Sequence, residues 1–348
     1  MKMRDIAREA GVSLTTVSLV LNGKTGVSPE KRSVIQRLLA ENGYQLQSSD
    51  QQPPAPAGKS ICFLKYSKHS YLVNGNPGFV TQIMDSAEQE CRKNGYDLLV
   101  VTCSDLTGFP LADVLEKQSV KGILLLGTEL DDAGAAVFEG FPKPVVAVDN
   151  GLPLISCSSV TMDNRRSILA AVEHLKSLGH RKIGFLYNSL PSNNDRARRR
   201  AFEDALSFFG LPFDPSLVYS VFPTMDGARK SVAELLEKGA RFPPALLANN
   251  DSIAIGAIQS FKDYGLQIPE DISIMGFDGL PFSAVSDPPL TTISVPCQEI
   301  GCWAVRILLD TISEHSAQVC KMLVGTSLLK RSSTAPSHEP RRHPLLLP

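Results

Sequence analysis

Apolar residues recur at helical spacing in the first twenty-one residues and predict two short helices. The two apolar stripes are Ile6, Ala7 and Ala10 in the first helix, and Val17, Val20 and Leu21 in the second. Gly11 lies between them, and glycine enters the left-handed turn that ends a helix without steric strain. Ser13 can cap the second helix by accepting a hydrogen bond from the Thr16 N–H. This arrangement, with polar residues on the outer face of the second helix, is typical of a helix-turn-helix.

A third helix is predicted to complete this small head. Ser28 is a suitable N-cap, Pro29 suits the first helical position, and Asn42-Gly43 ends the helix. Its apolar face consists of Val34, Ile35, Leu38 and Leu39. By spacing alone, such a unit is either a DNA-binding domain or a helical cap on another domain.

From residue 60 the pattern changes to short apolar runs alternating with amphipathic helices. The first set predicts strands at 60–66, 96–102, 122–126 and 145–149, and helices at 79–94, 111–118 and 133–139. The second set predicts strands at 182–187, 217–222, 245–248 and 273–277, and helices at 168–178, 197–209, 227–237 and 253–264. Such alternation favours parallel sheets with right-handed crossovers. We therefore expect an α/β body with two lobes and a cleft between them.

Four segments are predicted along the chain. Residues 1–45 form the helix-turn-helix domain, 46–59 a flexible Pro-rich linker, 60–330 the two-lobed body, and 331–348 a disordered Pro-, Ser- and Arg-rich tail. The last elements of the body would cross back between the lobes. Lobe 1 then comprises 60–162 and 294–320, and lobe 2 comprises 163–291 and 321–330.

Composition and charge are those of a soluble protein of more than one domain. The chain has 348 residues and a net charge of −1, but residues 1–59 hold eight Lys and Arg against five Asp and Glu. A mildly basic head is compatible with phosphate contacts. The seven cysteines lie in apolar runs without a CxxC pair, which indicates buried reduced thiols. With no apolar signal core and no run of about 20 apolar residues, we expect a cytoplasmic protein without membrane contact.

Sequence signatures of catalysis are missing. The chain contains no GxSxG, no Walker lysine loop and no GxGxxG after a first strand, and its six histidines are dispersed. We therefore expect neither an enzyme nor a resident cofactor or metal.

The sequence motifs of the head resemble those of the lactose-repressor and galactose-repressor family of bacterial transcription regulators. The resemblance rests on DIAREAGVS, TVS and LN, followed by VSPEKRSVIQRLLAENGY, and extends to about Lys330. It implies a periplasmic-binding-protein-like body that binds a small-molecule effector between its lobes. It also implies a homodimer on a double-stranded DNA operator; four prolines between Pro336 and Pro348 exclude the C-terminal leucine heptad helix of the tetrameric members.

The resemblance places the DNA contacts on the second helix. Base contacts are expected from Leu14, Thr15 and Leu19, and backbone contacts from Thr16, Ser18 and Asn22. Position 19 is often Arg in the family, so Leu19 puts the operator sequence in doubt, and a core position is the alternative for this residue. The linker prolines also forbid the usual hinge helix, which predicts a looser coupling between effector and head.

Candidate effector contacts follow the strands, because ligands of open α/β sheets bind at strand carboxyl ends. The set comprises Asn76, Phe79, Asp149, Arg198, Phe222, Asn250 and Asp278. Of these, Asp149, Asn250, Asp278 and Phe222 lie at predicted strand ends, Arg198 lies on the helix after the 182–187 strand, and the resemblance adds Asn76 and Phe79. The alternatives are a capping role at Asp251, a solvated face for the arginines from Arg196 to Arg200, and a core position for Phe222.

The chemistry of this set favours a sugar effector. Carboxylates, an amide and a guanidinium around an aromatic ring suit hydroxyl groups and a stacked sugar face, although a nucleobase could use the same set. The sequence therefore predicts a sequence-specific transcriptional regulator, most simply a repressor. The alternative is a solute-binding protein of sugar uptake, which accounts for the cleft and leaves the head unexplained.

Overall fold

The computed structural model describes residues 3–21, 27–42, 59–73, 77–106, 116, 119–314, 318–337 and 344–347. The chain divides into two compact units, Met1–Gly58 and Lys59–Pro348, and each is described by itself. Most of the predicted linker, most of the helix predicted at 111–118, and the candidate residues Asn22 and Asn76 lie outside the described residues.

The head contains three helices around a small apolar core. They are α1 (Met3–Glu9), α2 (Leu14–Leu21) and α3 (Pro29–Glu41). Gly11 has φ +61°, and the N–H of Val12 donates to the Ala7 carbonyl across the turn. The Ser13 Oγ accepts from the Thr16 N–H at 3.1 Å, so the predicted cap is confirmed. The most deeply buried side chains are Ile6, Val17, Val20, Ile35 and Leu39.

The first lobe is built on a six-stranded parallel sheet. Its strands are β1 (Ser60–Tyr66), β2 (Asp97–Cys103), β3 (Val120–Leu126), β4 (Val145–Val148), β5 (Ser158–Met162) and β11 (Lys321–Val324), in the spatial order β11-β5-β4-β3-β1-β2. The helices of this lobe are α4 (Pro77–Lys93), the short α5 (Asp132–Ala135) with a 3₁₀ turn (Ala136–Phe138), and α10 (Cys297–Glu314).

The second lobe repeats the arrangement. Its strands are β6 (Gly184–Asn188), β7 (Val218–Val221), β8 (Ala245–Ala248), β9 (Ser273–Asp278), β10 (Thr291–Ser294) and β12 (Ser327–Leu329), in the order β12-β10-β9-β8-β6-β7. Only β12 pairs antiparallel among them. Its helices are α6 (Asn164–Ser177), α7 (Asn193–Phe208), α8 (Met225–Glu237) and α9 (Asp251–Asp263), with 3₁₀ turns at Pro215–Leu217 and Pro281–Ala284. The predicted fold class, a two-lobed α/β body behind a three-helix head, is confirmed.

The chain crosses between the lobes three times, and here the predicted boundary was wrong. The segment 321–330, assigned to lobe 2 from the sequence, contains two strands: β11 pairs with β5 in the first sheet, and β12 pairs with β10 in the second. The chain passes between the sheets at Gly325-Thr326. The strand β5 was not predicted, because its sequence SSVTM is largely polar, although it is fully buried between two neighbouring strands.

Apolar cores lie on the faces of both sheets. Five of the seven cysteines are buried free thiols, and Cys302 and Cys320 are half-buried. Burial raises the pKa of the Cys62 and Cys91 thiols to about 12, which keeps them protonated and unreactive. No helix in the described part of the chain has the length and apolarity that a membrane span requires.

The tail after Arg331 was predicted to be disordered, but its described parts pack on the second lobe. The Ser333 side chain is fully buried, where its hydroxyl donates to the Ile274 carbonyl at 2.5 Å and accepts from the Thr291 N–H at 2.9 Å. Further on, Leu346 is 5% exposed and forms a parallel bridge with Phe242. Composition failed as a guide here because a few buried apolar and hydroxyl groups are enough to hold a polar segment.

We expect Leu346→Ala to lower the free energy of unfolding of the body by about 2 kcal/mol, the low end for truncating a buried leucine. The exposed neighbour Pro344→Ala is the matched control and should leave stability unchanged. Chemical denaturation of both variants measures the difference, and equal midpoints for Leu346→Ala and the wild type would show that the tail is not docked.

Candidate functional site

Two aspartates from different lobes meet at strand ends in the cleft. Asp149 follows β4 and Asp278 ends β9, and their side chains are 3% and 6% exposed. Both have positive φ, +59° and +114°, a backbone conformation that residues other than glycine adopt at a cost of about 1–3 kcal/mol. The surrounding fold therefore holds each of these aspartates in an unfavourable backbone conformation, which is frequent at ligand sites.

The guanidinium of Arg198, on α7, lies beside Asp278. Its Nη1 donates to the Asn249 carbonyl at 2.7 Å, and its Nε donates to the Asn164 Oδ1 at 2.9 Å. The Cζ lies 3.7 Å from the centroid of the Phe277 ring, and the Nη2 lies 3.7 Å from the Asp278 Oδ1. Among the arginines from Arg196 to Arg200, only Arg198 is buried, so the predicted solvated face applies to the others to different degrees.

Asn194 connects the two lobes and was missed from sequence. Its Nδ2, at the start of α7, donates to the carbonyl and the Oδ1 of Asp149 at 2.8 and 3.0 Å. Its Oδ1 accepts from Asn164 at 2.9 Å and from the Thr161 hydroxyl at 3.4 Å. The available signal was the sequence SNND, in which Ser192 and Asp195 form a capping box and direct Asn194 inward.

Asp195 and Asp251 have structural partners. The Asp195 Oδ2 accepts from the Ser192 N–H at 2.7 Å and from the Asn188 Nδ2 at 2.8 Å. Asp251 accepts from the Leu280 N–H at 2.8 Å and from the Thr292 hydroxyl at 2.6 Å. These bonds tie Asp251 to the turn after β9, and its carboxyl does not line the cleft.

The helix cap predicted as an alternative role for Asp251 belongs to Asn250. The Asn250 Oδ1 accepts from the Ile253 N–H at 2.7 Å, and Asn250 also lines the cleft. One amide oxygen therefore caps α9, and the amide nitrogen of the same side chain can serve a ligand.

Aromatic rings close the mouth of the cleft. The rings of Tyr71, in lobe 1, and Phe222, in lobe 2, contact edge to face with centroids 5.0 Å apart. Phe79 is buried and lines the cleft, whereas beside Phe222 it is Pro223 that forms the wall. Phe222 itself is half-buried, so its exposure does not decide between the stacking role and the alternative position in the core.

The structure thus brings five of the seven candidates together around one space: Phe79, Asp149, Arg198, Asn250 and Asp278. The cavity between them has a volume of about 50 Å³. Burial raises the pKa of Asp149 to about 6, opposed by the Thr128 hydroxyl and Arg198. Burial also raises the pKa of Asp278 well above its usual value, and Arg198 only partly offsets this. Such a site offers hydrogen-bond acceptors and one cationic fork to a polar ligand.

In the head, the candidate DNA residues lie away from the core. Leu14 is 42% exposed, Thr15 is exposed, and Thr16 and Ser18 are half-buried. Leu19 is half-buried and does not pack among the described apolar residues of the core, which weakens the core alternative for it. One face of α2 is therefore available to a groove of DNA.

Among the described residues, no group of three His, Cys, Asp or Glu side chains could hold a metal ion. A polar cleft between two α/β lobes, together with a helix-turn-helix unit, defines the class of ligand-responsive DNA-binding regulators.

Comparison with known proteins identifies the family. Residues 2–47 match the model of the bacterial regulatory proteins of the lacI family, and residues 172–334 match a periplasmic binding protein-like domain. The ribose operon repressor of Haemophilus influenzae is 30% identical over 335 residues, 95% of this chain and 98% of that protein. The chain therefore belongs to the lacI family.

Solved structures agree with this assignment. The lac repressor dimer bound to operator and the anti-inducer ONPF superposes with a TM-score of 0.70 at 26% identity, covering 96% of this chain and 99% of that one. A lacI-family regulator from Enterococcus faecium with bound ribose gives 0.66 at 26% identity, covering 80% and 100%. The family consists of DNA-binding transcription regulators and not of enzymes, and this protein is accordingly a DNA-binding transcription regulator. Regulators of this family are cytoplasmic, as predicted.

Asp251 gives the body a pH dependence that can be measured. Burial raises the pKa of its carboxyl to about 7, although hydrogen bonds from Thr292, Leu280 and Gly279 oppose the shift. The unfolded chain loses this proton near pH 4, so the folded state holds more protons between about pH 4 and 7. The contribution of Asp251 to the free energy of unfolding therefore decreases as pH rises through that window.

We expect Asp251→Asn to flatten the pH profile of stability between about pH 4 and 7, whatever its effect on absolute stability. Denaturant titrations at several pH values measure this slope, with Asp204→Asn, at an exposed position in lobe 2, as control. Parallel profiles for Asp251→Asn and the wild type would contradict the assignment.

Proposed function

We propose that the cleft binds a sugar effector that controls operator binding by this repressor. The observation that carries the proposal is the placement of Arg198 beside Asp278, facing Asp149 across the cleft. Carboxylates and a guanidinium accept and donate in pairs, which matches vicinal hydroxyl groups, and Phe79 supplies an apolar ring for the C–H face. Ribose bound to the Enterococcus faecium regulator supports the same class of ligand.

The switch would act on contacts that already link the lobes. Asn194 bonds to Asp149 across the cleft, and Tyr71 packs on Phe222. A sugar that replaced the Asn194 contact would bind best to one separation of the lobes and shift the population toward it. Three chain crossings act as hinges, so such a shift changes the lobe angle with little local rearrangement.

For DNA binding we propose that α2 lies in the major groove. Leu14, Thr15 and Leu19 would contact base edges, and Thr16, Ser18 and Asn22 the backbone. We further propose a homodimer on a pseudo-palindromic operator, as in the lac repressor dimer bound to its operator. Lobe 1 would supply the dimer contacts through α4 and the segment after Pro296.

Leu14→Ala and Thr15→Ala should each weaken specific operator binding about tenfold, since a good base contact contributes roughly 1–3 kcal/mol. Val34→Ala, at a 41% exposed position on α3, is the control and should bind as the wild type does. Fluorescence anisotropy on fragments upstream of the chain's own gene, at several salt concentrations, measures both affinities. Equal binding by all four proteins would remove α2 from the interface.

The effector prediction is tested by a thermal-shift screen of the full chain with ribose, galactose, adenosine and cytidine. We expect a sugar to raise the melting temperature by mass action, and Asp278→Asn to abolish the rise while the exposed Asp204→Asn retains it. The same sugar should change operator affinity. A rise with nucleosides alone would favour the nucleobase alternative and contradict the sugar assignment.

A further inference from the structure

A second cavity opens beside the effector cleft. It shares Tyr71, Leu72 and Ser192 with the cleft, and it extends between the loop after β1 and the start of α7. Its volume is about 260 Å³, compared with about 50 Å³ for the cleft itself. A ligand seated against Arg198 can therefore extend outward past Tyr71 into this outer compartment.

Cationic side chains lie on both walls of the outer compartment. Lys68 comes from lobe 1 and is exposed, and no described residue hydrogen bonds to its ammonium. Arg196 comes from lobe 2, where its Nη1 donates to the Pro191 carbonyl at 2.8 Å and its Nη2 donates to the Asn193 Oδ1 at 2.7 Å. A guanidinium has five N–H donors, so these two bonds orient Arg196 and leave donors for a ligand.

The two carboxylates of this compartment, Glu129 and Asp131, accept hydrogen bonds from the backbone. The Glu129 Oε2 accepts from the N–H groups of His69 and Ser70 at 2.7 and 3.2 Å, and its Oε1 accepts from those of Leu72 and Val73 at 3.0 and 3.2 Å. The Asp131 Oδ1 accepts from the Gly134 N–H at 2.7 Å. Four backbone donors thus fix the Glu129 carboxylate in place, and Lys68 and Arg196 carry the donors at the rim that an anionic group could use.

The inner cleft has the opposite character. Three buried carboxyl groups, those of Asp149, Asp195 and Asp278, line the cleft together with the guanidinium of Arg198. Burial already raises the pKa values of Asp149 and Asp278, and an anionic group placed there would disfavour their ionised forms further. The two compartments therefore orient a bipolar ligand, with its hydroxyl groups inward and its acidic group outward.

We infer that the effector is a phosphorylated sugar whose phosphate group binds between Lys68 and Arg196 in the outer compartment. This inference rests on the proposed binding of a sugar in the inner cleft and adds a second subsite to it. Lysine binds phosphate as a point charge and arginine as a planar fork, and here one comes from each lobe. The phosphate would thus bridge the lobes at the rim.

The first test uses inorganic phosphate and the full chain at constant ionic strength, followed by isothermal titration calorimetry. Lys68→Gln with Arg196→Gln should weaken phosphate binding about a hundredfold or more, since each of the two lost charged hydrogen bonds contributes about tenfold or more. Arg200→Gln, an exposed arginine of the same helix outside the compartment, is the matched control. Phosphate bound equally by all three proteins, or not bound by the wild type, would overturn the inference.

The second test compares ribose with ribose 5-phosphate in thermal shift. The wild type should be stabilised more by the phosphate ester, and the Lys68 and Arg196 double variant should lose that preference. Equal stabilisation by both compounds would overturn the inference. A ribose shift that depends on Asp278, together with phosphate binding indifferent to Lys68 and Arg196, would refute the phosphate subsite and leave the proposed function standing.

Discussion

The buried guanidinium of Arg198 is the interaction on which the organisation of the cleft depends. It joins the start of α6 through Asn164, the end of β8 through the Asn249 carbonyl, and the end of β9 through Phe277 and Asp278. A desolvated cation is tolerated only with this many partners, and its removal would take a positive charge away from the buried Asp278 carboxyl. The lobe 2 wall of the site is thus organised around one charge.

Communication between the lobes relies on few groups. Asn194 links Arg198 to Asp149 through a chain of hydrogen bonds. Both Arg198 and Asn194 hydrogen bond to Asn164, and the Asn194 amide donates to Asp149. The backbone crosses between the sheets at three places, and the C-terminal strands divide between them. A small ligand can change the lobe angle in such a structure because few contacts must be exchanged.

The charge pattern of the cleft separates two kinds of recognition. The inner carboxylates accept hydrogen bonds and have pKa values raised by burial, so they suit hydroxyl donors better than anions. The rim carries Lys68 and Arg196 in reach of solvent. The head, which carries the proposed DNA-contacting face, and the body, which holds the cleft, are separate compact units.

The sequence by itself determined the local elements: the turn at Gly11, the Ser13 cap, and aspartates at strand ends, because these depend on residues a few positions apart. Only the tertiary structure decided which of Arg196, Arg198, Arg199 and Arg200 is buried, since helical spacing gives relative and not absolute direction. It also decided that Asn194 reaches Asp149, that β11 joins the first sheet, and that Leu346 is buried. Those contacts join residues far apart in the chain, and no local pattern encodes them.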